Sequence, residues 1–202
     1  MDLKEHIEKI IEKTFEKVQE AYNDHRETCK SEGERWKKKN TRLVFPRYGE
    51  HREYETRISE QELRFAFVEA FNEYCNNPEN NCNLFYSVET PTEKRYAGFK
   101  TGNPECKESG RSGCIDLTIH DASSKRICLI EFKAKNPEEK DYKKDFCKLN
   151  NEGIKLCYFL QIVEKKDSGT VDSIKSKTKN DIGEAIHYCY CLDRRPKNYN
   201  IP

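Results

Sequence analysis

Two acidic residues and one lysine interrupt an otherwise apolar stretch between Cys114 and Asn136. They are Asp116, Glu131 and Lys133. Charged side chains are costly to bury unless they are paired or bind a metal ion. Two carboxylates that lie close together suit a hard divalent cation, Mg²⁺ or Mn²⁺, which prefers oxygen ligands. A bound cation of this kind lowers the pKa of water and polarises phosphate groups.

The alternation of side chains places these residues on two neighbouring strands. If the turn is centred between Ser123 and Ser124, Asp116 lies directly across from Glu131. Carboxylates at opposite positions repel, so something positive is expected between them. Lys133, two residues further on, reaches the same pocket. On the first strand one face is predicted to be apolar: Ile115, Leu117 and Ile119.

The arrangement resembles the PD-(D/E)xK nuclease superfamily. The core of that superfamily is an acid on one strand, a Glu-x-Lys on the next, and often a glutamate on a preceding helix. Asp116, Glu131 and Lys133 match this pattern, although Ile115 replaces the proline before the acid. The resemblance covers roughly residues 58–164 and implies a restriction-endonuclease-like fold.

The resemblance also implies a role for each residue. Asp116 and Glu131, with the backbone carbonyl of Phe132, would hold Mg²⁺ or Mn²⁺ for phosphodiester hydrolysis. Lys133 would orient the attacking water or stabilise the developing negative charge. The favoured substrate is DNA rather than RNA because the superfamily acts mostly on DNA, and a place in restriction, anti-phage defence or repair is analogy alone.

The helical glutamate is expected on a helix that begins at Ser59. The segment Ser-Glu-Gln-Glu is a capping box with Glu62 in the third helical position. We choose Glu62 as the catalytic acid because it lies in the first turn beside the apolar stripe. Glu60 and Glu69 remain alternatives, and a capping role alone would also explain Glu62.

The bland explanation of the hairpin charges is a simple salt bridge. Charged residues make up 36% of the chain, so Glu-x-Lys triplets arise by chance. Other triplets occur at 105–107, 138–140 and 164–166, but only residues 131–133 lie in an apolar, β-branched run. This context favours the metal site over the salt-bridged hairpin.

A helix is predicted after the Glu-x-Lys strand, with Asn136 as its cap and Pro137 in its first position, running to about Asn150. Its inner stripe is predicted to be apolar: Tyr142, Phe146 and Leu149. Its lysines are predicted to lie on other faces: Lys140, Lys143, Lys144 and Lys148. We assign Lys135 and Lys144 as candidate nucleic-acid contacts, while simple solvation is the alternative.

The remaining elements predict an α/β fold. A strand at 83–90 should end at Pro91, and Glu89 at its end is a plausible supporting acid. The near-continuous apolar run 156–163 is typical of a central strand covered on both faces. A helix at 170–180 and a last strand at 185–192 follow. This alternation indicates a three-layer sandwich, with a central mixed β-sheet flanked by helices.

The N-terminal part is predicted to be one long amphipathic helix from Asp2 to about Lys30. Its apolar stripe requires a partner surface, which is either its own domain or a second copy in a homodimer. Residues 31–52 have the composition of a connection. We therefore divide the chain into residues 1–52, helix and connection, and residues 53–202, the nuclease-like domain.

Composition limits the remaining choices. The chain has 202 residues, a net charge of +1 and no apolar run long enough to span a membrane. The first residues lack the apolar core of a signal peptide, so a cytoplasmic location is expected. Its ten cysteines are expected to be free thiols, because several fall on predicted strand or helix faces. The sequence contains no Cys-x-x-Cys pair, so a zinc site is not expected.

Two functions follow from these patterns. The first is a metal-dependent nuclease, and the second is a nuclease-like module that binds nucleic acid or protein without hydrolysing it. The complete Asp, Glu and Lys set favours the enzyme. Metal dependence discriminates between the two, because a binding module should hold its partner equally well without the cation.

Overall fold

The computed structural model describes residues 2–27, 41–46, 57–164, 168–192 and 197–201. Across these residues the fold is α/β, with four α-helices and one mixed sheet of seven strands. The helices are α1 (Leu3–Glu27), α2 (Glu60–Asn76), α3 (Glu139–Asn151) and α4 (Ser168–Thr178), with a 3₁₀ turn at Pro78–Asn80. The strands are β1 (Phe85–Ala97), β2 (Glu105–Cys106), β3 (Arg111–His120), β4 (Arg126–Ala134), β5 (Cys157–Val163), β6 (Ile186–Cys191) and β7 (Lys197–Ile201).

The sheet has the strand order β2-β1-β3-β4-β5-β6-β7. Strands β2, β1, β3 and β4 are antiparallel to their neighbours, β4, β5 and β6 are parallel, and β7 is antiparallel to β6. Every residue of β5 is buried, as its apolar run predicted. The predicted mixed sheet is confirmed, but β7 lies beyond the strand that was expected to be the last.

The β3–β4 hairpin has the predicted register. Leu117 pairs with Ile130 and Thr118 with Leu129, and the turn is closed by hydrogen bonds between Asp121 and Lys125. An irregularity next to the turn, between Ile119 and His120, does not change the alignment further along. Continued by one pair, this register places Asp116 opposite Glu131 on the neighbouring strand.

The prediction that Pro91 ends its strand is wrong. Strand β1 continues through Pro91 to Ala97, and Pro91 pairs with Cys114 of β3. On the other side β2 pairs only with Tyr96 and Ala97. Proline is tolerated here because this part of β1 is a sheet edge, where no neighbouring strand requires its missing N–H.

Apolar side chains pack on both faces of the sheet. One core combines side chains of α1 and α2 with Leu117, Ile130 and Phe132, and the other combines those of α3 and α4 with Leu129 and Phe159. The predicted stripe of α1 is buried in the first core: Ile7, Ile10, Ile11, Phe15, Val18 and Tyr22. The surface proposed for a homodimer contact is therefore covered by the same chain.

The helix boundaries agree in part with the predictions. Ser59 is the N-cap of α2, as expected, but α3 begins at Glu139 rather than at Pro137. The reason is that Asn136 bonds elsewhere: its side chain donates to Ser173 at 3.1 Å and accepts from Lys177 at 2.9 Å. These bonds tie the end of β4 to α4. None of the helices in the described ranges has both the length and the apolar character that crossing a membrane requires.

The expectation that all cysteines are free thiols is wrong for one pair. Cys75, near the end of α2, forms a disulfide with Cys82 in the loop that leads to β1. Seven other described cysteines lie outside this disulfide, and four of them are buried: Cys128, Cys157, Cys189 and Cys191. Those four behave as small apolar core residues, as the strand patterns predicted.

Three further parts of the predictions concern the start of the chain. The long N-terminal helix is present as α1. Of the predicted connection at 31–52, only residues 41–46 are described, and they form neither helix nor strand. The domain boundary between residues 52 and 53 lies outside the described residues.

Candidate metal and nucleic-acid site

Three acids lie in one row across β1, β3 and β4. The pairs on either side of Glu89 place it opposite Asp116, and the β3–β4 ladder, continued by one pair, places Asp116 opposite Glu131. Like charges at directly opposite positions repel. The row is stable only if positive groups lie between or beside the carboxylates.

Strand β3 changes its faces at Asp116. Ile115 lies in the core with α3, whereas Leu117 lies in the core with α2, so the prediction that they share a face is wrong. Asp116 stands between them and is reached from α2, while its Oδ2 accepts a hydrogen bond from the backbone N–H of Phe132 at 2.9 Å. In β1, Glu89 has a φ of 47°, a left-handed conformation that few residues other than glycine adopt.

Arg64 of α2 joins two members of the row. Its Nη1 lies 2.6 Å from Oε1 of Glu89, and its Nη2 lies 2.9 Å from Oδ1 of Asp116. Glu89, which the sequence analysis named as a supporting acid, therefore belongs to the site. Arg64, the basic partner of these acids in α2, was not predicted. In the sequence it is one of many charged residues on a helix face that the apolar pattern leaves exposed.

The helical acid that reaches the site is Glu60 rather than Glu62. Oε1 of Glu60 lies 3.4 Å from Nζ of Lys133. Glu62 instead accepts a hydrogen bond from the hydroxyl of Ser59 and lies 3.6 Å from Arg57. The other alternative, Glu69, lies away from the cluster: it pairs with Lys17 of α1 at 3.5 Å and accepts a hydrogen bond from Thr41, in the segment 41–46, at 2.7 Å.

Helix α3 contributes two buried charges that the sequence analysis missed. Asp145 is 1% exposed and Lys148 3% exposed, so the prediction that Lys148 lies on an outer face is wrong. The helical spacing contained the signal, since Asp145 falls between Tyr142 and Leu149 on the same stripe. Lys148 follows one turn later and points to the same side.

These side chains form a line of alternating charges through the buried cluster. Nζ of Lys133 lies 2.7 Å from Asp145, and Nζ of Lys148 lies 3.1 Å from Asp145 and 2.5 Å from Glu131. Lys148 also donates to the backbone carbonyl of Cys114 at 2.8 Å. Asp145 therefore holds both lysines in place: Lys148 lies beside Glu131, and Lys133 lies on β4, the strand that also carries Glu131.

The protonation states follow from burial and from these pairs. Burial lowers the pKa of Lys133, but the charges of Asp145 and then Glu60 raise it by more than burial lowers it. The net pKa therefore lies above its ordinary value. Burial raises the pKa of Asp145, yet Lys148 and Lys133 outweigh this effect and the pKa is lowered. Lys133 is thus a permanent cation at neutral pH rather than a general base.

Glu131 is in the opposite situation. Burial, followed by the charge of Asp145, raises the pKa of Glu131 well above its ordinary range, although Lys148 lowers it. The charge of Asp116 adds to the rise. Burial and Asp116 also raise the pKa of Glu60, which Lys133 opposes. Burial is the first cause of both rises, and the neighbouring acids add to it.

The ion pairs of the cluster join more acids than bases. The linked acids number five: Glu60, Glu89, Asp116, Glu131 and Asp145. The basic groups in these pairs number three: Arg64, Lys133 and Lys148. With every one of these groups ionised, two negative charges are in excess, which is the charge that one divalent cation would neutralise.

The residues fit a cation that retains part of its water shell. In the described part of the chain, no three His, Cys, Asp or Glu side chains are grouped closely enough to enclose a metal ion. Mg²⁺ does not need such a cage, because it is usually bound through one or two carboxylates together with water and substrate phosphates. Asp116 and Glu131, at adjacent row positions, meet that requirement.

The two lysines assigned to nucleic-acid contact border this cluster. Lys135 is exposed directly after β4, where its φ is 65° and its carbonyl accepts a hydrogen bond from Gln161 at 2.5 Å. Nζ of Lys144 lies 6.0 Å from the ring centre of Phe99, and its charge contributes to the lowered pKa of Asp145. Lys135 thus follows the end of β4, and Lys144 lies midway along α3, the two elements that carry most of the cluster.

A scan against protein-family models and searches of the curated proteins and of the solved structures found no match to this chain.

Proposed function

We propose that this chain is a metal-dependent nuclease with the three-layer, restriction-endonuclease-like fold of the PD-(D/E)xK superfamily. The observation that carries the proposal is the position of Asp116 opposite Glu131, with Lys133 two residues further, in a cluster with excess negative charge. The chain order α2-β1-β2-β3-β4-α3-β5 supports it, because Glu60 lies on the helix before these strands. DNA is the proposed substrate by analogy with the superfamily.

The cation would be held by Asp116, Glu131 and the carbonyl of Phe132, and it would supply a polarised phosphate and a water of lowered pKa. The N–H of Phe132 fixes the orientation of Asp116 through its Oδ2. Lys133 keeps its proton and donates hydrogen bonds toward the attacking water or toward the negative charge that develops on the phosphate. Asp145 directs the Lys133 ammonium group, which removes much of its rotational freedom.

A possible substrate surface adjoins the cluster at Gly113. A Cβ at this glycine would lie 3.3 Å from Cδ of Lys148 and 3.6 Å from the ring of Phe99. The absence of a side chain leaves room for Lys148, and Phe99 borders the same position. Phe99 stacks on Tyr96 and carries Lys144 over its ring, a combination of aromatic surface and positive charge that suits a nucleic-acid strand.

The test is a cleavage assay on purified protein. Supercoiled and linear duplex DNA, single-stranded DNA and RNA are incubated with Mg²⁺, Mn²⁺ or a chelator. We expect cleavage of at least one substrate that requires the cation and is lost in Asp116→Ala and Lys133→Ala. Lys143, a half-buried lysine of α3 that pairs with the exposed Glu139, supplies the control, since Lys143→Ala should retain full activity.

A binding module without hydrolysis is the second candidate. It is favoured by the basic partners that Asp116 and Glu131 already have, Arg64 and Lys148. Such a module would bind nucleic acid equally well with a cation, with a chelator or after Asp116→Ala. A nuclease would lose tight binding or cleavage under the last two conditions, so the same samples decide between the candidates.

A further inference from the structure

Arg64 is held between two acids in an arrangement that does not satisfy all of its donors. Its side chain is 12% exposed and its two terminal nitrogens contact Glu89 and Asp116. Its Nε is buried and has no hydrogen-bond partner within the described ranges. A buried donor without a partner is costly, so the arrangement serves something other than the best solvation of the arginine.

The backbone of β1 supports the same contact. Glu89 lies opposite Asp116 and has a φ of 47°. Left-handed backbone at a residue other than glycine costs on the order of 1 kcal/mol or more, and such strain is concentrated at functional sites. Here the residue with the left-handed backbone is Glu89, whose carboxylate binds Nη1 of Arg64.

The two oxygens of Asp116 are occupied in different ways. Oδ2 accepts from the backbone N–H of Phe132, which is part of strand β4. Among the described residues, the side-chain partner of Oδ1 is the guanidinium of Arg64. A cation that binds Oδ1 of Asp116 meets the Arg64 guanidinium, whose Nη2 lies 2.9 Å from that oxygen.

We propose that Arg64 and the divalent cation compete for Asp116, and that the released guanidinium then binds the phosphate of the nucleic acid. The inference rests on the proposed function for the identity of the substrate. Glu89 keeps Nη1 in place, so release frees Nη2 without losing the side chain to solvent. Arginine binds phosphate through paired N–H groups, so cation binding prepares the site for its substrate.

The first measurement is the affinity for Mn²⁺ alone, in the absence of nucleic acid, from the electron paramagnetic resonance signal of free Mn²⁺. We expect Arg64→Gln to bind Mn²⁺ about tenfold more tightly than the native chain. Arg64→Lys keeps the charge but loses the planar fork, and should fall between the two. The matched control is Arg126, which is 23% exposed and also lies between two acids, Glu93 and Glu152, outside the cluster.

Two results of that titration would overturn the competition. One is an unchanged or weaker Mn²⁺ affinity in Arg64→Gln. The other is an Arg64→Lys variant equal to the native chain beside a tighter Arg64→Gln, because that pattern would reflect charge at a distance and not a shared carboxylate. Arg126→Gln should match the native chain, and a gain equal to that of Arg64→Gln would also refute the proposal.

The phosphate role is measured by binding of a short DNA duplex with Ca²⁺ in place of Mg²⁺, a cation that generally binds without supporting cleavage. We expect Arg64→Gln to lose about tenfold in affinity with Ca²⁺ and nothing with chelator. Equal affinities of the two proteins under both conditions would refute this role. If the native chain cleaves no nucleic acid but the Mn²⁺ results hold, the nuclease proposal fails while the competition for Asp116 stands.

Discussion

Replacement of Lys148 by methionine should unfold the protein at much lower urea concentration. The lysine is 3% exposed and its ammonium group contacts Glu131, Asp145 and the carbonyl of Cys114. Methionine fills a similar volume but leaves Glu131 as a buried acid without its partner. Removal of one member of a buried ion pair costs about 3–5 kcal/mol, and we expect Lys148→Met to lower the free energy of unfolding by that amount.

The loss should depend on pH in a definite direction. Lys148 lowers the pKa of Glu131, while burial and the remaining acids raise it. Without the lysine, Glu131 takes up a proton more readily in the folded state than in the unfolded chain. Since a raised pKa gives stability that is lost as pH rises, Lys148→Met should be less destabilised at pH about 5 than at pH about 8.

A second substitution and a surface control complete the experiment, which is urea denaturation followed by circular dichroism. Glu131→Gln added to Lys148→Met should recover at least about 2 kcal/mol, because no buried charge then lacks a partner. Lys143→Met removes only an exposed helical pair with Glu139 and should cost about 0.5 kcal/mol or less. Additive losses in the double variant, with no coupling between the two sites, would refute the reasoning.

Three further predictions concern other parts of the chain. Glu60→Gln should weaken Mn²⁺ binding about tenfold while Glu62→Gln leaves it unchanged, as measured by titration of free Mn²⁺, because only Glu60 contacts the cluster. Burial lowers the pKa of His187 to about 3. As the pH falls below about 6.5, His187 is protonated in the unfolded chain but stays neutral in the folded chain, so the free energy of unfolding falls toward pH 3. His187→Gln should reduce this pH dependence in urea titrations. Replacement of Cys75 and Cys82 by serine should lower the free energy of unfolding by about 2–3 kcal/mol, with no further loss on reduction.

The hairpin that carries the candidate site could be predicted because two simple signals agree there. A short polar turn and the alternation beside it are sufficient to predict the pairing of Leu117 with Ile130, and one further pair sets Asp116 opposite Glu131. The predicted alternation of β3 itself stops at Asp116. The buried strand β5 was likewise predictable from its unbroken apolar run. The local pattern predicts these segments well because the burial of each residue follows from its position along a single strand.

The rest of the site depends on contacts between elements that are distant in the chain. Lys148 was expected on an outer face because lysine is rarely buried, and only the acids Glu131 and Asp145 explain its position. The choice between Glu60 and Glu62 depends on how α2 lies over β4, which the helical pattern alone does not contain. The same holds for Asn136, whose bonds to α4 delay the start of α3.

A cation between Asp116 and Glu131 is the feature on which the functional proposals depend. The most direct measurement is X-ray diffraction from crystals grown with Mn²⁺, with data collected at a wavelength where manganese scatters anomalously. We predict one strong anomalous peak in contact with carboxylate oxygens of both residues, and its loss in Asp116→Asn. The absence of a peak there, with the Arg64 and Lys148 contacts unchanged at saturating Mn²⁺, would contradict the metal-dependent mechanism.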